Sequence, residues 1–271
     1  MSDQAAIVDT ARDGTRYRLG GKAGAPLLAL IHGLGLNQSV WDAFTTELET
    51  DFRVLSYDLY GHGDSAAAPA KPDVTLYAEQ LLGLLDEIGA ASCIAVGFSL
   101  GGMINRRFAI DHPDRVTALV ILNSPHERGA EAQALVEQRA LDSAAGGPGA
   151  TLDATIERWF TQMYRDNHPD AIERVRGWVL ANDTTQYALA REVLAFGVVE
   201  LIRPEPPLDL PTLVMTCEND SGSTPAMSQA IASEIDGAEV IIVPRLKHMG
   251  LAENPGFFIQ AIRDFVAART G

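Results

Sequence analysis

The segment Gly97-Phe98-Ser99-Leu100-Gly101 constrains this chain more than any other, because it places a serine in a tight turn between two regular elements. The apolar run 93–96 before it predicts a short buried strand, and residues 100–110 after it predict a helix. A Gly-x-Ser-x-Gly turn between strand and helix holds the serine in a strained backbone conformation with its oxygen exposed. A side chain at either glycine would collide with the neighbouring strand or helix. We therefore predict that Ser99 is a nucleophile.

A candidate acid and a candidate base follow Ser99 in the chain, each after a predicted strand. Residues 212–217 predict a buried strand that runs into Asp220, and residues 238–243 predict another that precedes His248. A serine hydroxyl is a poor nucleophile at neutral pH, so a base must take its proton and an anion must hold that base in one tautomer. We expect His248 to be the base and Asp220 the acid of a catalytic triad.

Two other carboxylates are alternatives to Asp220 as the acid. Glu218 lies in the same loop, and Asp58 also follows a predicted strand, although it belongs to a Gly-His-Gly loop. Among the other histidines, His32 and His62 are expected to fix loop backbones through hydrogen bonds.

Attack by a serine on a carbonyl forms a negatively charged tetrahedral species, which requires two preorganised hydrogen-bond donors. Leu100 offers one backbone N–H directly after Ser99, at the N-terminus of the predicted helix. The second donor is expected from the loop 32–36 after the predicted strand 27–31, with the Leu34 N–H in that role. The predicted oxyanion hole therefore consists of Leu34 and Leu100.

Strands and helices alternate in the two outer parts of the chain, which is typical of a mostly parallel sheet with helices on both faces. The interval 126–207 carries helical patterns and no convincing strand, so it predicts a helical cap inserted between core strands. The core would then comprise residues 1–125 and 208–271. The eight predicted strands cover residues 7–12, 15–19, 27–31, 52–57, 93–96, 115–122, 212–217 and 238–243.

Aromatic residues concentrate in the predicted cap, where most of them are expected to pack its helices together. A minority would face the core and line a substrate pocket. Our candidates for the pocket are His126, Trp159, Tyr164 and Trp178.

Composition narrows the classes of partner. The formal net charge of −15 disfavours nucleic acid and anionic membrane surfaces. The chain has no apolar run of membrane-spanning length and no signal-peptide pattern in its first residues, so we expect a cytoplasmic protein. We expect it to be a monomer or a homodimer.

Cys93 and Cys217 both lie in predicted core strands, which favours buried thiols over a disulfide. Because phosphate-loop, dinucleotide and metal-ligand spacings are missing, we expect no cofactor and no metal.

Several spaced motifs together resemble the α/β-hydrolase superfamily over essentially the whole chain. They are His32-Gly33, the segment 57–65 with its Gly-His-Gly, the serine turn 97–102, the Asp220 loop and His248. The resemblance implies the α/β-hydrolase fold: a mostly parallel eight-stranded sheet flanked by helices, with an inserted helical cap. It also implies a cofactor-free hydrolase of a small-molecule carboxylic ester or lactone.

Within the superfamily, the chain looks most like the 3-oxoadipate enol-lactonase branch, in its small size, its predicted cap and the sequence around Asp220. Lactonases of that branch act on an acid substrate and would need a cationic anchor. The candidate anchors in or near the cap are Arg128, Arg158, Arg174 and Arg176.

Two other functions stay open at this point. Hydrolysis of a carbon–carbon bond in ring-fission products, or perhydrolysis, would use the same three residues. Ring-fission hydrolases usually carry polar groups near the oxyanion loop, where this chain has Leu34 and Leu36. A ligand-binding, receptor-like module with a vestigial triad is the alternative from another class. Ser at position 99 argues against dehalogenases and epoxide hydrolases, which use a carboxylate nucleophile.

Overall fold

A single eight-stranded sheet organises the chain in this computed structural model, which describes residues 6–270. Residues 1–5 and residue 271 lie outside the described residues. The expectation that no signal peptide is present concerns residues 1–5. The strands are β1 (Ile7–Thr10), β2 (Arg16–Gly21), β3 (Leu27–Ile31), β4 (Arg53–Tyr57), β5 (Cys93–Phe98), β6 (Val116–Leu122), β7 (Thr212–Cys217) and β8 (Glu239–Val243).

The sheet has the order β1-β2-β4-β3-β5-β6-β7-β8. β2 pairs antiparallel with β1 and with β4, and every other neighbouring pair is parallel. All residues of β3, β5 and β7 are buried, because helices cover both faces of the sheet and leave no strand face for water. The predicted eight-stranded, mostly parallel α/β sheet is confirmed.

Eleven α-helices lie in the described part of the chain. They are α1 (Asp42–Leu48), α2 (Val74–Glu87), α3 (Leu100–Asp111), α4 (Ala130–Gly146), α5 (Leu152–Trp159), α6 (Gln162–Asn167), α7 (Pro169–Leu180), α8 (Thr184–Phe196), α9 (Pro225–Ser233), α10 (Gly250–Glu253) and α11 (Pro255–Thr270). Helix starts follow local signals: the Asp73 side chain caps α2 by accepting a hydrogen bond from the Leu76 N–H at 2.7 Å. None of the described helices is long and apolar enough to cross a lipid bilayer.

Helices α4 to α8 all lie between β6 and β7 in the chain. Every regular element that the structure describes between those two strands is helical. The exact division into a core and a cap spanning 126–207 stays a prediction.

Six of the eight strands differ from prediction by one or two residues at an end, whereas β3 and β7 match it. β1 ends at Thr10 rather than at residue 12, because Ala11 already belongs to the turn: its N–H donates to the Thr15 carbonyl at 2.9 Å and its carbonyl accepts from the Gly14 N–H. β5 continues to Phe98, two residues past the predicted run, because pairing with β6 extends to the residue before Ser99.

Glycines let α3 pack directly on the strands at its N-terminus. A Cβ at Gly101 would overlap the carbonyl group of Ile31 at the end of β3, and a Cβ at Gly97 would overlap the carbonyl of Gly101. Backbone atoms cannot move aside as a flexible side chain can. The two glycines therefore set the close approach of α3 to the sheet.

Replacement of Gly101 by Ala is expected to lower the free energy of unfolding by roughly 1–3 kcal/mol or more, because the new methyl group forces α3 away from β3. Gly177→Ala is the matched control. Gly177 lies in α7 with nothing within 4 Å of an added Cβ, so alanine there should raise the free energy of unfolding by about 0.5–1 kcal/mol. Urea unfolding of both variants measures the two effects. Equal stability of the two variants would contradict this account of the turn.

Candidate active site

Ser99 lies at the sharp turn between β5 and α3. Its backbone has φ 56° and ψ −112°, a region that non-glycine residues adopt only under strain. Neighbouring hydrogen bonds hold this conformation: the Ser99 N–H donates to the Leu122 carbonyl at 2.8 Å, and the Ser99 carbonyl accepts from the Gly102 N–H at 3.0 Å. The sequence around Ser99 thus folds into the strained turn that its two glycines predict.

The parallel register brings other polar residues to the same edge of the sheet. β5, β6, β7 and β8 are neighbours that run in one direction, so their carboxyl ends lie side by side. Ser99 follows β5, Asn123 follows β6, Asp220 lies three residues after β7, and His248 lies in the loop after β8. Crevices outside the carboxyl ends of parallel strands are the usual ligand sites of α/β folds.

A buried hydrogen bond joins His248 to Asp220. The distance from His248 Nδ1 to Asp220 Oδ2 is 2.6 Å, and Asp220 is 3% exposed. The other carboxylate oxygen, Oδ1, accepts from the backbone N–H groups of Gly222 at 2.9 Å and Ser223 at 3.0 Å. A carboxylate with this many donors can hold the imidazole in one orientation, with its Nε2 free to take a proton.

Competing effects act on the ionisation of Asp220. Burial alone would raise its pKa, but the His248 imidazole and the hydrogen bonds from His248, Asn123 and Ser223 outweigh burial, so the pKa lies below its ordinary value. Asp220 is therefore a carboxylate throughout the neutral range, as a partner of a histidine base requires.

Asn123 is a site residue that sequence reasoning missed. Its Nδ2 donates to Asp220 Oδ2 at 2.8 Å and to Thr216 Oγ1 at 3.3 Å, and its backbone adopts a φ of 46°. The available signal was its position: it is the first residue after β6, a strand that we predicted. The side chain supports the carboxylate that bonds to His248.

Ser99 and His248 line one cavity of about 70 Å³. Phe98 and Trp159 lie beside the imidazole, with ring centroids 5.0 Å and 5.9 Å from it. Within residues 6–270, no hydrogen bond joins the Ser99 hydroxyl to the imidazole. Bonds between nucleophile and base are often long in unliganded enzymes and tighten when substrate binds.

The predicted oxyanion donors lie next to this cavity. Leu34 and Leu100 are buried, and neither backbone N–H donates a hydrogen bond within the described part of the chain. The loop containing Leu34 approaches Ser99 closely, since a Cβ added at Gly33 would lie 3.1 Å from the Ser99 Cβ. Two N–H groups are thus available near the serine.

A buried histidine fixes the loop that carries Leu34. His32 accepts a hydrogen bond from the Leu59 N–H at its Nε2, at 3.0 Å, and its Nδ1 lies 2.7 Å from the Gly33 carbonyl. Burial lowers the pKa of His32 to about 4, so the ring is neutral at physiological pH. His62 similarly lies 3.2 Å from the Tyr60 carbonyl through Nδ1. Both histidines hold loop backbones, as the sequence predicts.

The two alternative acids lie away from His248. Glu218 is exposed and accepts from the Arg245 N–H at 2.8 Å. Asp58 is buried, but its oxygens accept from the backbone N–H groups of Gln38 at 2.7 Å and Asp64 at 3.0 Å. The structure therefore brings Asp220, of the three carboxylates, to the imidazole.

Three of the four predicted pocket residues lie elsewhere, and that part of the prediction is wrong. Only Trp159 lines the cavity beside Ser99. His126 Nε2 lies 3.0 Å from Glu234 Oε1, and His126 borders a separate cavity. Tyr164 and Trp178 line a third cavity between α6, α7 and the start of α1, where they pack the helices together.

Two of the four candidate arginines line the cavity beside Ser99, and two do not. Arg128 and Arg158 line the cavity beside Ser99. Arg176 forms an ion pair with Asp153 at 2.5 Å, and Arg174 lies over the Trp178 ring at 6.0 Å. Two more arginines that line the cavity, Arg139 of α4 and Arg191 of α8, were not among the candidates. The sequence predicts helices in this interval, but it does not predict which face of each helix meets the core.

Comparison with known proteins identifies the family. A model of the alpha/beta hydrolase family matches residues 28–261, and the chain therefore belongs to that family. The match spans the strained serine turn, the Asp220 loop and His248.

Relatives include lactonases. The chain is 27% identical over 256 residues to 3-oxoadipate enol-lactonase 2 of Acinetobacter baylyi, covering 93% of each chain. It is 26% identical over 226 residues to (E)-2-((N-methylformamido)methylene)succinate hydrolase of the same species, covering 83% of this chain and 84% of the relative. The crystal structure of the enol-lactonase from Burkholderia xenovorans superposes with a TM-score of 0.85 at 28% identity, covering 93% of this chain and 96% of that one. These matches confirm the fold and the resemblance to enol-lactonases.

Acid sensitivity tests the environment of Asp220. Because its folded pKa is depressed, its ionisation contributes stability that is complete above the unfolded pKa of about 3.9 and is lost as the pH falls through the folded value. We expect the unfolding free energy of the wild type to fall relative to that of Asp220→Asn as the pH drops below about 4, because only the wild type loses this ionisation. Urea unfolding between pH 2.5 and 7 measures it. A difference independent of pH down to 2.5 would contradict the assignment.

Proposed function

We propose that this member of the alpha/beta hydrolase family is a cofactor-free serine hydrolase of small-molecule carboxylic esters or lactones. The observation that carries the proposal is the strained Ser99 turn in the same cavity as His248, whose Nδ1 is bonded to the buried Asp220. In this arrangement Ser99 is the nucleophile, His248 the general base and Asp220 the orienting acid.

The reaction begins when Ser99 Oγ attacks the substrate carbonyl carbon and His248 Nε2 takes the hydroxyl proton. The carbonyl oxygen becomes an oxyanion, which the backbone N–H groups of Leu34 and Leu100 stabilise. The Leu100 N–H lies at the N-terminus of α3, where the helix dipole favours negative charge. Collapse of the tetrahedral species breaks the bond to the alcohol oxygen, and the imidazolium returns its proton to that oxygen. In a lactone, the released alcohol stays attached to the acyl group.

Water completes the cycle. His248 takes a proton from a water molecule, whose oxygen attacks the acyl carbon on Ser99 and forms a second oxyanion in the same place. Its collapse breaks the bond to Ser99 Oγ, which recovers its proton from the imidazolium. The product is a carboxylic acid, and the enzyme returns to its starting state.

The side chains of the oxyanion loop favour an ester or lactone over a ring-fission product. Leu34 and Leu36 both line the cavity, so the oxyanion loop presents apolar side chains where carbon–carbon hydrolases usually present polar ones. The names of two relatives, an enol-lactonase and a hydrolase of an amide-bearing succinate, support hydrolysis of a small acyl compound.

Loss of the nucleophile tests this proposal. Ser99→Ala is expected to lower kcat for p-nitrophenyl butanoate by roughly 10⁴- to 10⁶-fold, because no acyl-enzyme can form. Ser233→Ala is the matched control, since Ser233 is exposed on α9 and should leave kcat within twofold of the wild type. Stopped-flow and steady-state absorbance assays measure both.

Retention of more than a tenth of wild-type kcat by the Ser99 variant would overturn the proposed mechanism. Rapid cleavage of a coloured ring-fission product by a wild type that leaves simple esters and lactones intact would instead favour the carbon–carbon alternative. A single slow turnover with tight product retention would favour a receptor-like module.

A further inference from the structure

Four arginines surround the cavity beside Ser99. They are Arg128, from the segment before α4; Arg139 of α4; Arg158 of α5; and Arg191 of α8. No aspartate or glutamate is among the described residues that line this cavity. The chain has 36 acidic and 21 basic residues and a net charge of −15, so a cavity with this composition is opposite in sign to the molecule as a whole.

None of the four guanidinium groups forms an ion pair within residues 6–270. Arg139 and Arg158 are half-buried and also make no hydrogen bond to the described part of the chain. By contrast, Arg176 on the neighbouring α7 pairs with Asp153 at 2.5 Å. Unpaired, partly buried cations are costly for a protein to hold unless an anion joins them.

The other two arginines bind neutral groups. Arg128 Nη2 donates to the Leu194 carbonyl at 3.2 Å, and Arg191 Nη2 donates to the Tyr187 hydroxyl at 2.7 Å with its guanidinium 5.2 Å from the Tyr187 ring. These bonds orient the side chains and leave their charge uncompensated. The buried Nε of each lacks a hydrogen-bond partner within the described residues. Both guanidinium groups are therefore held in place while each keeps an N–H donor without a partner among the described residues.

The arginines also act on one another. Burial lowers the pKa of Arg158 to about 10, and the charges of Arg139 and Arg191 add to this effect, although Asp220 opposes it. Burial and the charge of Arg191 likewise lower the pKa of Arg139. Arg139, Arg158 and Arg191 therefore form a mutually repelling cluster of positive charge that lines the cavity.

We propose that the natural substrate carries two carboxylates in addition to the scissile ester or lactone, and that Arg128, Arg139, Arg158 and Arg191 bind them. A single carboxylate would leave most of the cluster uncompensated, whereas two can each receive a pair of guanidinium donors. All four arginines line the same cavity as Ser99, so carboxylates bound by them lie beside the reacting carbonyl. The proposal rests on the proposed hydrolase function and specifies its substrate as a compact dicarboxylate ester or lactone.

A matched ligand series tests the number of charges. Methyl pentanoate, monomethyl glutarate and the 1-methyl ester of tricarballylate share a five-carbon chain and carry zero, one and two free carboxylates. Calorimetric titration into the Ser99→Ala variant measures binding without turnover. Each added carboxylate is expected to lower Kd at least tenfold. Equal Kd values for the glutarate and tricarballylate esters would overturn the proposal.

A second comparison tests the arginines themselves. Arg139→Gln and Arg158→Gln, each in the Ser99→Ala background, are expected to weaken tricarballylate ester binding at least tenfold. Arg176→Gln is the control: it removes an arginine of the same region that is paired with Asp153 and does not line the cavity, so Kd should stay within twofold. Equal effects of the three substitutions would refute the assignment, and circular dichroism reports whether each variant folds.

Two further outcomes separate related ideas. Methyl 4-phosphonobutanoate offers two negative charges on one tetrahedral group, and tighter binding of this ester than of the tricarballylate ester would overturn the assignment to carboxylates. Hydrolysis of all three carboxylic esters by the wild type at one rate, lost in Ser99→Ala, would uphold the hydrolase function while the substrate proposal fails. Tight, charge-dependent binding without any hydrolysis would do the reverse.

Discussion

The buried hydrogen bond between His248 and Asp220 is the interaction on which the site depends. It joins the loop after β8 to the loop after β7, and it forms because those strands are parallel neighbours whose ends coincide. The carboxylate remains ionised although it is buried, since Asn123 and the backbone N–H groups of Gly222 and Ser223 also donate to it. Removing any one of these donors leaves part of a buried charge without compensation.

The serine side of the site depends on backbone packing rather than on charge. Gly97 and Gly101 let α3 lie against β3, and the same turn holds Ser99 at a φ of 56°. The helix N-terminus and the loop fixed by His32 then present two N–H groups beside one hydroxyl. A strained serine, a satisfied carboxylate and free amide donors are thus produced by three different features of one sheet edge.

Local sequence signals predict most of this edge. Parallel strands buried on both faces are continuous apolar runs, so β3 and β7 were located to the residue, and residues just past strand ends were natural candidates. Asp220 was preferred as the acid because it follows a predicted strand and lies between Ser99 and His248 in the chain, and the structure brings that carboxylate to His248. Asn123 had the same signal, but a lone amide after a strand has no motif to mark it.

The helical segment between β6 and β7 was less predictable. Its helices are amphipathic, but periodicity does not say how they dock on the sheet. For that reason the sequence did not predict that Tyr164 and Trp178 line another cavity or that His126 faces Glu234. It also did not mark Arg139 and Arg191 as residues that line the site. The cationic cavity within an acidic molecule is a property of this docking and not of composition.

The central claim is that Ser99 becomes covalently acylated under the control of His248 and Asp220. Rapid-quench mass spectrometry of the wild-type protein, mixed with a slowly deacylating ester and digested after milliseconds, tests it most directly. The account predicts the mass of the acyl group on the peptide that contains Ser99, appearing before steady-state product and disappearing as the ester is consumed. Turnover with no adduct on that peptide, or with the acyl group on another residue, would contradict it.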